Sequence, residues 1–126
     1  MRSIDKHIIH CSDSLHGDVS EIRKWHKARG FNDIGYHYVI LSDGSLQVGR
    51  NIQKIGAHCK GLNTGSVGTC LIGKKDTFTN AQFETLKELH GGLNVLFPNI
   101  ELRNHYEFNK NKTCPTFDAR EKIKCQ

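Results

Sequence analysis

Two stretches of helical periodicity, each opened by a residue able to cap a helix, separate short runs of β-branched and aromatic residues. That alternation leaves few architectures open. Asp18 stands three residues ahead of Glu21, and Val19, Ile22 and Trp25 then recur at helical spacing until Gly30 stops the run. Thr79 stands in the same relation to Gln82, and Phe83, Leu86, Leu89, Leu93 and Leu96 form the apolar face of a longer helix ending before Pro98. Gly91-Gly92 weakens this second helix locally.

The runs between the helices read as strands. Ile4–His10 is rich in Ile and His without Gly or Pro, and Val67–Ile72 and Ile100–His105 are of similar length. Tyr36–Leu41, the turn Ser42-Asp43-Gly44-Ser45 and Leu46–Val48 predict a hairpin. Gly56–Ser66, rich in Gly, Asn and His, predicts a long surface loop, and Cys114-Pro115 leads into a short helical tail. The order strand, helix, hairpin, strand, helix, strand, tail predicts an α/β fold with a central mixed β-sheet flanked by helices. A chain of 126 residues fits a single domain spanning 1–126. His10 and His105 each close a predicted strand at its carboxyl end, the edge where open α/β sheets place their sites.

Composition narrows the setting. A formal charge of +5 favours a polyanionic partner, but basic and acidic side chains are mixed at both ends, which is the pattern of a solvated surface rather than a nucleic-acid-binding arm. Neither an apolar run of membrane-spanning length nor an N-terminal stretch of signal-peptide character occurs, so synthesis in the cytoplasm without membrane insertion is expected. Five cysteines cannot all pair within one chain, and a reducing cytosol disfavours disulfides. Cys11 and Cys70 read as buried thiols, with Cys11 facing away from the neighbouring His10, and Cys59 and Cys125 carry no reading.

Eight histidines raise the question of a metal. His7 and His10 lie three apart on one strand, so their side chains face opposite sides and cannot share an ion. A catalytic zinc site takes three protein ligands and keeps a fourth position open, and His10, His105 and Cys114 have the right chemistry. Spacing alone leaves Cys114 open between ligand and buried thiol. By the same standard Tyr36 is open to a core reading and Lys112 to that of a solvated loop lysine.

The segments IIHCSDS, EIRKWHKARGF, IGYHYVI, DGSLQVGR, IGAHCKGLN, SVGTCLIG and NHYEFNKNKTCPTFD, in this order from about Ile4 to Asp118, resemble the zinc-dependent N-acetylmuramoyl-L-alanine amidases, and the phage type most of all. The resemblance implies hydrolysis of the bond between N-acetylmuramic acid and L-alanine in peptidoglycan. It implies Zn2+ held by His10, His105 and Cys114, with Tyr36 and Lys112 as catalytic groups that do not bind the metal. Lys112 would stabilise the tetrahedral oxyanion, and Tyr36 would orient the attacking water or relay a proton to the departing amine. His58 and Asn63 would bind substrate. Strand alternation turns His37 away from Tyr36, so it reads as structural or as a support to a site residue, and Trp25 and His26 read as helix packing. The loop before Cys114 is slightly longer than in phage-type members, which leaves Lys110 as the alternative to Lys112.

These expectations describe a monomeric phage or prophage endolysin that reaches the wall after release, with no nucleic-acid partner. The alternative is a peptidoglycan-binding module of the same fold that lacks catalysis. Such modules lose a metal ligand, commonly the cysteine, and Cys114 argues against that here. Bound zinc and chelator-sensitive release of peptide distinguish the two.

Overall fold

A computed structural model describes residues 2–124. Its sheet has five strands in the order β3-β2-β4-β1-β5, namely β1 (Lys6–Cys11), β2 (Tyr38–Ile40), β3 (Leu46–Val48), β4 (Ser66–Leu71) and β5 (Glu101–Asn104). β1 lies between β4 and β5 and is parallel to both, β2 is parallel to β4, and only β3 at the edge is antiparallel. Every residue of β4 is buried, as expected of a parallel strand covered on both faces. Gly44 adopts a positive φ of 89° in the β2–β3 turn, where a side chain would be strained.

The alternation of side chains along β1 and β4 divides the core. Ile9 and Leu71 pack with Phe83 and Leu86 of α2 (Asn80–Leu96) and Ala119 of α3 (Ala119–Lys124). On the other face Cys70 packs with Val19 and Ile22 of α1 (Val19–Ala28), together with Ile34 and Val39. Ile4, Val67, Leu93 and Ile100 close the end remote from the site.

Both predicted helix starts are present. The Asp18 carboxylate accepts from the Glu21 N–H at 2.9 Å, and Gly30, at φ 97°, follows the end of α1. At Thr79 and Gln82 the capping box is complete. α2 runs through Gly91-Gly92, since Leu86 and Leu93 on either side are anchored in the core. β5 ends one residue earlier than the sequence suggests, because the Glu107 carboxylate takes the Asn104 N–H at 2.7 Å and turns the chain into a 3-10 turn, His105–Glu107. Cys125 lies outside the described residues.

Gln82 does more than cap. Its buried amide nitrogen donates to the Ile40 and Ile72 carbonyls at 3.1 and 2.9 Å, tying α2 to the carboxyl ends of two strands. Thr79→Ala is expected to cost about 1 kcal/mol. Gln82→Leu should cost roughly 1–3 kcal/mol, because it also removes the donor to the buried Ile72 carbonyl. Urea denaturation of the two variants measures both, and a larger loss for Thr79→Ala would refute this ranking.

Candidate metal centre and groove

The carboxyl end of β1 carries His10, whose ring lies on the α1 side of the sheet, while His7 faces α2 as the alternation requires. His7 is hydrogen-bonded to Thr69 Oγ1 at 2.7 Å and lies 3.1 Å from His90 Nδ1. His10 Nδ1 lies 3.1 Å from Nδ1 of His105. Adding the Cys114 thiol gives three potential ligand atoms all within 4.8 Å of one another.

Hydrogen bonds around the trio hold its segments together. The Cys11 N–H donates to Cys114 Sγ at 2.8 Å, and the Tyr106 N–H donates to the Cys114 carbonyl at 3.0 Å. Asn104, fully buried next to His105, accepts from the Ala119 N–H at 2.9 Å and donates to the Asp118 and Glu107 carboxylates at 3.1 and 3.0 Å. Glu107 is paired in turn with Arg103 and Arg120 at 3.0 and 3.2 Å. Cys11 is buried, as expected of a core thiol, yet the residue also lines the groove, because its backbone lies at the strand end that the Cys114 loop crosses and its N–H meets Cys114.

Electrostatics favour neutral imidazoles. Burial, reinforced by the neighbouring His58 and His105, holds His10 well below the ordinary histidine range. Burial and the Lys112 ammonium lower His105. The Cys114 thiol is pushed up by its hydrogen bond with Cys11 and by burial, so a bound cation is needed to hold the thiolate. The two imidazoles fit a tetrahedral zinc ion, because bonds of 2.0–2.1 Å imply a nitrogen–nitrogen edge of ~3.3 Å, near the 3.1 Å found here, and the Cys114 thiol lies within 4.8 Å of both.

A groove of about 590 Å³ opens over this centre. Tyr36, His26, Arg29 and Phe31 form one wall, and Asn109, Asn111, Lys112 and Thr113 form another. Lys112 faces the groove and Lys110 is not among its lining residues. The Tyr36 ring packs 5.0 Å from that of His10, and burial raises its phenol well above the usual range, so it stays protonated. His26 accepts from the Gly35 N–H at 2.9 Å and also lines the groove, a placement that its reading as a helix-packing residue missed. The exposed Phe31 beyond Gly30 was the available signal for this wall.

The Gly-rich loop packs differently from a simple substrate contact. His58 lines the groove, yet its two ring nitrogens lie 2.9 Å from His10 Nε2 and 3.2 Å from Ser66 Oγ. Asn63 spends its side-chain oxygen on the N–H groups of His58 and Cys59, both at 2.9 Å. His37 is structural, accepting from the Gly68 N–H at 3.0 Å and donating to the Lys54 carbonyl at 2.8 Å.

Residues 1–117 match the family model described as N-acetylmuramoyl-L-alanine amidase. The endolysin of Escherichia phage T7 is 39% identical over 128 residues, covering 94% of this chain and 84% of that protein. The endolysin of Klebsiella phage KP32 is 38% identical over 122 residues, covering 89% of this chain and 80% of its own. Among solved structures, the N-acetylmuramoyl-L-alanine amidase LysC from Clostridium intestinale superposes with a TM-score of 0.90 at 26% identity, covering 98% of this chain and 85% of that one.

Buried neutral histidines make the metal-free protein sensitive to acid. Burial lowers His37 from 6.5 to about 4, and His7 also lies well below its ordinary value. Their contribution is therefore complete above the unfolded value of 6.5 and is lost as pH falls toward the folded values. Between pH 6.5 and about 4, each should add a slope of up to roughly 1.4 kcal/mol per pH unit. Urea midpoints measured in chelator should fall through this window, and a flat profile would show that these rings are protonated in the fold.

Proposed function

Since this chain belongs to the N-acetylmuramoyl-L-alanine amidase family, we propose that it acts as a phage-type endolysin that hydrolyses the amide between N-acetylmuramic acid and L-alanine, with His10, His105 and Cys114 as its zinc ligands. The observation that carries this reading is the convergence of two neutral imidazoles and a thiol under an open groove. When bound, zinc would acidify a water molecule and polarise the scissile carbonyl.

The remaining chemistry belongs to the groove walls. The Lys112 ammonium lies on the wall beside His105 and offsets the negative charge that develops on the carbonyl oxygen in the transition state. Tyr36 keeps its proton and presents it as a hydrogen-bond donor, a role suited to the departing amino nitrogen, which must gain a proton as the amide breaks. His58 and Asn63 shape the floor, and their hydrogen bonds favour support over direct contact with the stem peptide. The complete ligand trio favours catalysis over a binding-only role.

The partner is wall glycopeptide, met by a chain acting as a monomer and a single catalytic domain after release from the cytoplasm. No helix among the described residues is long and apolar enough to cross a membrane. Mass analysis of purified wall digested with the protein tests the activity. Free L-alanine amino termini should appear, and chelator should stop their release; new reducing sugars instead would identify a glycosidase.

Variants separate the roles. Cys114→Ser should lose tight zinc binding, because a hydroxyl stays protonated near neutral pH. Full zinc stoichiometry in that variant would remove Cys114 from the ligand set. Lys112→Ala should keep zinc and fold while kcat falls by roughly two to three orders of magnitude, the range for loss of one oxyanion donor. Lys110→Ala should leave kcat near wild type, and the opposite pattern would move the catalytic role two residues upstream.

A further inference from the structure

We infer that His58, backed by Ser66, is a positioning residue that fixes which nitrogen of His10 faces the metal. This rests on the metal-site reading above and extends it to a residue that does not touch the ion. His10 presents Nδ1 toward His105, and its other nitrogen, Nε2, lies 2.9 Å from His58 Nδ1. His58 Nε2 lies in turn 3.2 Å from the Ser66 hydroxyl.

One arrangement of protons satisfies every link. A ligand nitrogen must offer its lone pair, so His10 Nδ1 is bare and its proton sits on Nε2. That N–H donates to His58 Nδ1, which places the His58 proton on Nε2, where it donates to Ser66 Oγ. A hydroxyl accepts this bond without giving up its own proton. The opposite order would put a proton on His10 Nδ1 and leave no lone pair for the metal. Metal-bound histidines commonly give their second N–H to a carboxylate or carbonyl. Here a neutral imidazole accepts instead and brings no negative charge to the site.

The surroundings hold the His58 ring in place. A Cβ on Gly68 would stand 2.5 Å from His58 Cγ, and one on Gly56 would stand 2.8 Å from His58 Cδ2. Both backbones therefore approach the ring as closely as only glycine allows. Ser66 and Gly68 lie on β4, a fully buried strand paired with β1, so the acceptor and its support share the rigid sheet that carries His10. Asn63 fixes the backbone of the loop through the His58 N–H. His58 is thus built as part of the sheet's floor, although it belongs to a loop.

The test is zinc affinity, measured by competition with a chromogenic chelator on the purified protein. His58→Ala should weaken zinc binding by roughly 10- to 100-fold, the range for loss of such a partner. His58→Asn should recover most of it, because the asparagine oxygen can accept from His10 Nε2 in place of the imidazole. Ser66→Ala should weaken binding to a lesser extent and keeps the test alive if His58→Ala does not fold. In ¹⁵N spectra of the zinc-loaded protein, the His10 ring should show a protonated Nε2 that is lost or exchanges rapidly in His58→Ala. Wild-type zinc affinity in both His58→Ala and Ser66→Ala would overturn the inference, above all if KM for muropeptide rose and marked His58 as a substrate contact. A wild-type protein that bound no zinc would overturn it together with the metal-site reading. A wild-type protein that bound zinc but released no L-alanine termini would sink the amidase assignment and leave the positioning role standing.

Discussion

Two neutral imidazoles and a protonated thiol have little attraction for one another, so their convergence within 4.8 Å has to be imposed from outside the site. Asn104 supplies most of that constraint. One buried amide bonds the Ala119 N–H beyond Cys114 and the Asp118 and Glu107 carboxylates on either side of the loop. Next to it, the Tyr106 N–H holds the Cys114 carbonyl. The ends of the segment that carries His105 and Cys114 are thereby fastened to each other, and β5 pairs with β1 up to Asn104, which brings both side chains to His10. Against the burial that would raise it, the Asn104 N–H and then the flanking arginines hold the Glu107 carboxylate below the usual carboxylate range.

How much of this could be read from the sequence follows the range of each interaction. Capping at Asp18 and Thr79 depends on neighbours three residues away, and both helix starts stand where local chemistry puts them. The opposed faces of His7 and His10 follow from strand alternation alone. The end of β5 does not, because it is decided by a carboxylate three residues on that closes a turn rather than by strand propensity. The meeting of Cys11 with Cys114 escaped for a related reason: strand alternation says nothing of a backbone N–H that reaches a thiol across 103 residues of sequence. His26 shares a helix with core residues and Arg29 caps its end, and only the packing of α1 shows that they line the groove.

The proposed ligand set combines two mechanical settings. His10 stands on a strand hydrogen-bonded on both sides, whereas His105 and Cys114 come from a turn and a loop that reach the sheet through side-chain hydrogen bonds. A metal ion bound to all three would therefore join loop to sheet, and its binding energy would stabilise the closed loop as well as the fold. The same loop carries Lys112, so a metal that held the loop would also hold the ammonium proposed to meet the developing charge. On the proposed reading, metal affinity and catalytic placement would be coupled through one short segment, the segment that the hydrogen bonds of Asn104 and Cys114 fasten to the sheet.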